Sequence, residues 1–107
     1  MKRYGQVIRL REGHEEEYMR LHRAVWPEIQ ALIYECNLRN YSIYFKDGYL
    51  FAYFEYIGDD YDADMKRMSD HPVNQRWWDQ CKPCQEPLES RGKEEWWADM
   101  VEVFHQN

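Results

Sequence analysis

Residues 49–56 read YLFAYFEY and are apolar or aromatic at both alternating sets of positions. Leu50, Ala52, Phe54 and Tyr56 form one set, Tyr49, Phe51 and Tyr53 the other. A strand of this kind needs cover on both faces. Asp47-Gly48 stands just before it, a pair that suits the positive φ angles of a two-residue hairpin turn. Residues 38–46 (LRNYSIYFK) supply the partner strand. The chain is thereby committed to an antiparallel sheet with a layer on each side.

Residues 3–10 alternate and predict another strand. After Glu12-Gly13, the residues Tyr18, Leu21, His22, Val25, Trp26, Ile29, Leu32, Ile33 and Cys36 recur at three- and four-residue steps. This is the strongest helical period in the chain, with Pro27 kinking or restarting the helix. A second helical region covers 59–69, with Tyr61, Met65 and Met68 on its apolar side. Another turn or two covers 72–80 (PVNQRWWDQ). Residues 81–93, rich in proline, glycine and charge, read as a loop, and 96–105 as a last strand. The order is β-α-β-β-α-β, the ferredoxin-like α+β arrangement, with an antiparallel sheet and helices on one face. One domain spans residues 1–107. Its second sheet face is bare in a single copy, so the aromatic strands favour a homodimer packed sheet to sheet, a dimeric α+β barrel.

The 14 Lys and Arg face 20 Asp and Glu, for a formal charge of −6. That balance disfavours nucleic acid as a partner. No run of about 18 apolar residues predicts a membrane helix. The opening MKRYGQVIRLREG does not resemble a secretory signal. Three cysteines, an odd number, argue against a disulfide framework. The expectation is a reduced, cytoplasmic protein. Aromatic content of 17% exceeds what a small core needs, which points to a site or an interface.

Tyr18 and His22 lie four residues apart on the apolar stripe of the first helix. A titratable ring on a buried face needs a partner or a chemical role. A histidine satisfied by a backbone carbonyl is the simpler explanation. Tyr41, on the following strand, offers a second phenol to the same place, and a histidine flanked by phenols can act as acid and base near neutrality. Trp77-Trp78 could form a flat platform for a sugar, although adjacent helical residues diverge by about 100°. Trp96-Trp97 reads as interface or core. Cys81-Lys82-Pro83-Cys84 has the spacing of a redox motif but follows a helix instead of opening one, and a zinc site would need two further ligands. No metal and no cofactor are expected.

Taken together, residues 16–28 (EEYMRLHRAVWPE), 40–44 (NYSIY), 75–78 (QRWW) and 102–104 (EVF) resemble the L-rhamnose mutarotase family in order and spacing over nearly the whole chain. The resemblance implies a cofactor-free isomerase of sugar anomers on a ferredoxin-like domain that dimerises through its sheet. It implies that His22 is the catalytic proton donor, protonating ring O5 on opening and taking the proton back on closure. It implies that Tyr18, Tyr41, Trp77 and Trp78 bind the monosaccharide. Glu102 is a candidate to orient His22. Residues 81–93 and Trp96-Trp97 depart from the family's better-known bacterial form and bear on sugar choice. The alternatives are L-fucose or a related 6-deoxy-L-sugar as substrate, a non-catalytic sugar-binding module, a cofactor-free oxygenase or haem-degrading enzyme on the same fold, and a thiol–redox protein.

Overall fold

In the computed structural model, which describes residues 1–107, the Asp47-Gly48 turn closes with φ of 53° and 81°. It joins β2 (Leu38–Lys46) to β3 (Tyr49–Tyr56), paired from Lys46↔Tyr49 to Leu38↔Tyr56. β1 (Lys2–Leu10) runs antiparallel along the other edge of β3, from Arg9↔Tyr49 to Lys2↔Tyr56. Alternation then gathers Ile8, Leu10, Leu50, Ala52, Phe54 and Tyr56 on one face, where all six are buried. The opposite face carries Tyr44, Tyr49, Phe51 and Tyr53, and no helix covers it; Tyr44 is 66% exposed.

β2 contains a bulge. Three steps separate Arg39 from Ser42, while two separate their partners Glu55 and Tyr53. Asn40 absorbs the extra residue at φ 52°, in the left-handed region that asparagine tolerates better than most side chains. Its Nδ2 donates to Glu55 Oε1 at 2.7 Å. The bulge shifts the phase of the strand. Leu38 faces inward before it, and Tyr41 and Ile43 face inward after it.

The helices cover the inner face. α1 (Glu15–Arg23) and α2 (Pro27–Glu35) are separate helices. Pro27 restarts the chain as the first residue of α2, and Trp26 before it is extended, at φ −59° and ψ 134°. α3 (Tyr61–Asp70) is capped by the Asp60 side chain, which accepts from the Ala63 N–H at 3.1 Å. His71 ends α3 and caps α4 (Pro72–Cys81), its Nδ1 accepting from the Val73 N–H at 3.2 Å. Leu21, Ile29, Leu32, Val73 and Trp77 from the helices meet Ile8, Leu10 and Leu50 from the sheet in one core. None of the helices is long and apolar enough to cross a membrane.

The fourth strand position differs from the sequence expectation. After a 3-10 turn at Lys82–Cys84, β4 (Gln85–Glu86) pairs with Leu10 and Arg9, inside the segment that reads as a loop. Pro87 lacks the N–H to continue the ladder. The chain leaves the sheet for residues 87–97 and returns as β5 (Ala98–Met100), paired with Gly5, Gln6 and Val7. The strand expected over 96–105 is thus only three residues long, and residues 101–107 are exposed outside the sheet. Strand order is β2-β3-β1-β4, with β5 also against β1.

Replacing Asn40 with valine puts a β-branched residue at a left-handed position and removes the bond to Glu55. The expected loss is about 1–3 kcal/mol of unfolding free energy, read from urea denaturation.

Candidate active site

Between the inner sheet face and helices α1, α3 and α4 lies a cavity of about 230 Å³. Tyr18, His22, Tyr41, Trp77 and Trp78, the five residues that the sequence singles out, all line it. Three local devices bring them there. The four-residue step of α1 stacks Tyr18 on His22, with ring centroids 4.2 Å apart and planes at 26°. The Asn40 bulge turns Tyr41 inward, where its ring tilts against Phe54 at 5.3 Å. α4 brings both tryptophans, and both line the cavity although they diverge around the helix. Trp77 is buried and meets the rings of His22 and Trp26 edge-on, at 5.4 and 5.1 Å. Trp78 is half-buried and lies beside Lys82, whose Nζ is 4.5 Å from its ring.

His22 owes its orientation to its own helix. Its Nδ1 lies 2.8 Å from the carbonyl oxygen of Tyr18. A carbonyl only accepts, so Nδ1 carries the hydrogen and Nε2 is left as the basic nitrogen of the neutral ring. Burial lowers the His22 pKa from its ordinary value, and the bond to the Tyr18 carbonyl opposes that shift in part. Glu102 plays no part in this. Its carboxylate accepts from Nε and Nη2 of Arg3, at 3.2 and 3.1 Å, in a separate surface depression. The candidate orienting role of Glu102 is therefore replaced by the Tyr18 carbonyl.

The phenols around His22 remain protonated near neutrality. Burial raises the pKa of Tyr18 and of Tyr61, and pushes Tyr41 up to about 12 although part of that residue's surface is exposed. Gln85 had no sequence signal that singled it out. Gln85 is 5% exposed; its Nε2 donates to the Tyr18 hydroxyl at 3.1 Å, and its Oε1 accepts from Trp96 Nε1 at 2.8 Å. Gln85 sits in a two-residue strand that carries no period. Trp96 and Trp97 precede β5 instead of starting it, and both line the cavity. The sequence reads this pair as interface or core and, through the family resemblance, as bearing on sugar choice; the cavity wall is where the structure puts it.

The Cys81-x-x-Cys84 pair does not have redox geometry. Cys36, Cys81 and Cys84 are free and buried. Cys81 ends α4, where the negative end of the helix dipole opposes a thiolate, and burial pushes it up to about 12. Burial raises Cys84 too. No three His, Cys, Asp or Glu side chains are grouped so as to hold a metal ion.

A family model described as L-rhamnose mutarotase matches residues 3–106. The chain is similar to an L-rhamnose mutarotase of Oceanobacillus iheyensis, 30% identical over 105 residues, and to one of Lactiplantibacillus plantarum, 31% identical over 107. Both alignments cover 98% of each chain. Among solved structures it resembles an L-rhamnose mutarotase from Formosa agariphila, with TM-score 0.79 at 21% identity. It also resembles the tetracenomycin F2 cyclase of Streptomyces glaucescens, with TM-score 0.72 at 15% identity. Both cover all of each chain, and at these identities they establish the shared ferredoxin-like fold.

Thiol titration with an aromatic disulfide reagent at pH 8 is expected to find all three cysteines unreactive in the native protein and reactive in denaturant. Fast native reaction at Cys81 or Cys84 would contradict their burial.

Proposed function

Because this chain belongs to the L-rhamnose mutarotase family, we propose that it is an isomerase that interconverts the α and β anomers of L-rhamnose by opening and closing the pyranose ring. The observation that carries this reading is the pairing, in one small cavity, of a free basic nitrogen on His22 with the hydroxyl of Tyr18. The volume lies below the roughly 300–1,000 Å³ of pockets for drug-sized ligands and suits a monosaccharide. It disfavours a haem or another large planar substrate.

Ring opening removes a proton from O1 and places one on O5. Both oxygens are bonded to C1, so one group can serve both. Nε2 of neutral His22 takes the O1 proton as the C1–O5 bond breaks, and the resulting imidazolium gives that proton to O5. The products are an aldehyde at C1 and a hydroxyl at O5. Rotation about C1–C2 presents the other face of the aldehyde, and closure returns each proton by the same route. The lowered pKa of His22 makes the neutral ring the resting form at pH 7. The base step therefore precedes the donation to O5 that the family resemblance implied. Tyr18 and Tyr41, held as phenols, bind sugar oxygens. Trp77 is committed to His22 and Trp26, which leaves Trp78 to pack on the sugar's C–H face or C6 methyl.

We further propose that the protein is a cytoplasmic homodimer. Phe51, Tyr53 and Tyr44 on the uncovered sheet face, with the exposed Met100, Val101 and Phe104, supply the apolar surface that a second copy would bury. Three free cysteines suit a reducing compartment.

Exchange NMR or polarimetry on freshly dissolved L-rhamnose should show faster anomer equilibration with the protein present. His22→Ala is expected to remove about 10²–10⁴-fold of that acceleration while the fold survives; full activity in the variant would sink the assignment. Running L-fucose in parallel tests the sugar preference.

The pH profile follows from the direction of the His22 shift. Acceleration should be level above about pH 6.5, the ordinary histidine value, and fall as the pH drops through the lowered pKa and the base becomes protonated. For the assembly, light scattering should give twice the monomer mass, and Phe51→Asp is expected to give one.

A further inference from the structure

Trp96, Gln85 and Tyr18 form a chain of hydrogen bonds whose direction can be only one way. An indole N–H donates and never accepts. Trp96 Nε1 therefore fixes the oxygen of the Gln85 amide toward itself, at 2.8 Å. The amide nitrogen must then face Tyr18 and donate to its hydroxyl, at 3.1 Å. Turning the amide over would set an N–H of the buried Gln85 against the indole N–H and its oxygen toward Tyr18, which loses the hydrogen bond to Trp96. Gln85 is the sole hydrogen-bond partner of the Tyr18 hydroxyl. With one lone pair taken, the phenol's own hydrogen is left for a ligand.

The chain is braced at its outer end. Lys82 Nζ lies 4.9 Å from the Trp96 ring and 4.5 Å from the Trp78 ring, a cation held between two indoles. Glu95 Oε1 accepts from the backbone N–H of Gly92 at 2.7 Å and of Asp99 at 3.4 Å, which ties the segment before Trp96 to the one after it. Trp96 is thus presented at a set angle although it is partly exposed.

We infer that Gln85 and Trp96 are positioning residues that hold Tyr18 as an obligate hydrogen-bond donor to a sugar oxygen, beside the basic nitrogen of His22. The inference deepens the mutarotase reading and rests on it for the identity of the sugar. It explains what residues 85 and 96, in the segments that depart from the better-known bacterial form, contribute to the site, because together they set the polarity of one cavity wall. A donor at Tyr18 next to an acceptor at His22 presents unlike groups to the two oxygens on C1. Tyr18 lends a hydrogen bond to one, and His22 moves the proton.

The decisive variant is Gln85→Glu. An ionised carboxylate accepts from both neighbours, so Tyr18 would turn its hydrogen away from the sugar. The rate of L-rhamnose anomer exchange should fall at least about tenfold at pH 8. A protonated carboxyl can accept from Trp96 and donate to Tyr18 as the amide does. The ratio of variant to wild-type rate should therefore rise as pH falls from 8 to 6. His22, Tyr41, Tyr61, Cys81 and Lys82 face the same cavity; Glu95 and Asp99 belong to the segment that carries Trp96. A carboxylate at residue 85 also raises the pKa of His22, so each rate is divided by that protein's own fraction of neutral His22, read from its imidazole NMR resonances, before the ratio is taken. Gln85→Leu, which leaves Tyr18 free to rotate, should cost less than Gln85→Glu at pH 8.

A ratio that stays flat with pH, or equal losses in the two variants that follow their melting temperatures, would mean that Gln85 is only structural and would overturn the inference. Two readouts do not need turnover. The 15N indole resonance of Trp96 should shift in Gln85→Leu, and L-rhamnose should bind more weakly to Gln85→Glu at pH 8 than at pH 6. If wild-type protein accelerated no anomer exchange, the functional reading would fail, and these two measurements would still decide the polarity of Tyr18. An unmoved indole resonance would overturn it.

Discussion

Two residues at positive φ, Asp47 and Gly48, hold the register on which the rest of the molecule is laid. β3 is paired on both edges, so a slip of one residue in the hairpin would carry Leu50, Ala52 and Phe54 to the other face and leave α1 and α4 nothing to pack on. Their packing on that face is what brings His22 over the sheet. The Asn40 bulge is a second, local adjustment of the same kind. It leaves the hairpin register intact and reverses the facing of a single stretch, so that Tyr41 joins the helix side.

Within the cavity, burial acts on acids and bases in opposite senses, and the outcome is chemically simple. It raises Tyr18, Tyr41, Tyr61 and Cys81 away from neutrality and lowers His22. Among these groups the imidazole alone changes its proton in the ordinary pH range. That suits a reaction in which one proton leaves an oxygen and another oxygen of the same carbon gains it. Neighbouring groups that also titrated would offer the proton wrong destinations.

Tyr18 and His22 were legible in the sequence because both their spacing and their contact lie within one helix. The halves of the sheet that share the hairpin were legible for a similar reason, since alternation and turn chemistry are local. Tyr41 was harder. Counting by twos from Leu38 puts residue 41 on the outer face, and only the extra residue at Asn40 corrects it. Trp77 and Trp78 diverge by helical geometry, and nothing in their spacing says that one cavity is lined by both. The fourth strand position defeated pattern reading altogether. Ladders of two and three residues are held by backbone hydrogen bonds and carry no side-chain period. Gln85 was hidden with it, and Trp96 was noticed without its hydrogen bond to Gln85 being legible. Glu102 failed as an orienting group because nearness to the end of a strand says nothing about which face it meets.

The interrupted edge of the sheet has a consequence for how such a protein can diverge. β4 and β5 grip β1 independently, one at Arg9 and Leu10, the other from Gly5 to Val7. The segment between them makes no ladder of its own in the sheet, yet it delivers Trp96 and Trp97 to the wall of the cavity. Changes there outside Trp96 reshape the cavity wall while the fastening on either side stays closed. Recognition and folding are thereby assigned to separate stretches of chain. New selectivity can be tried in one without placing the other at risk.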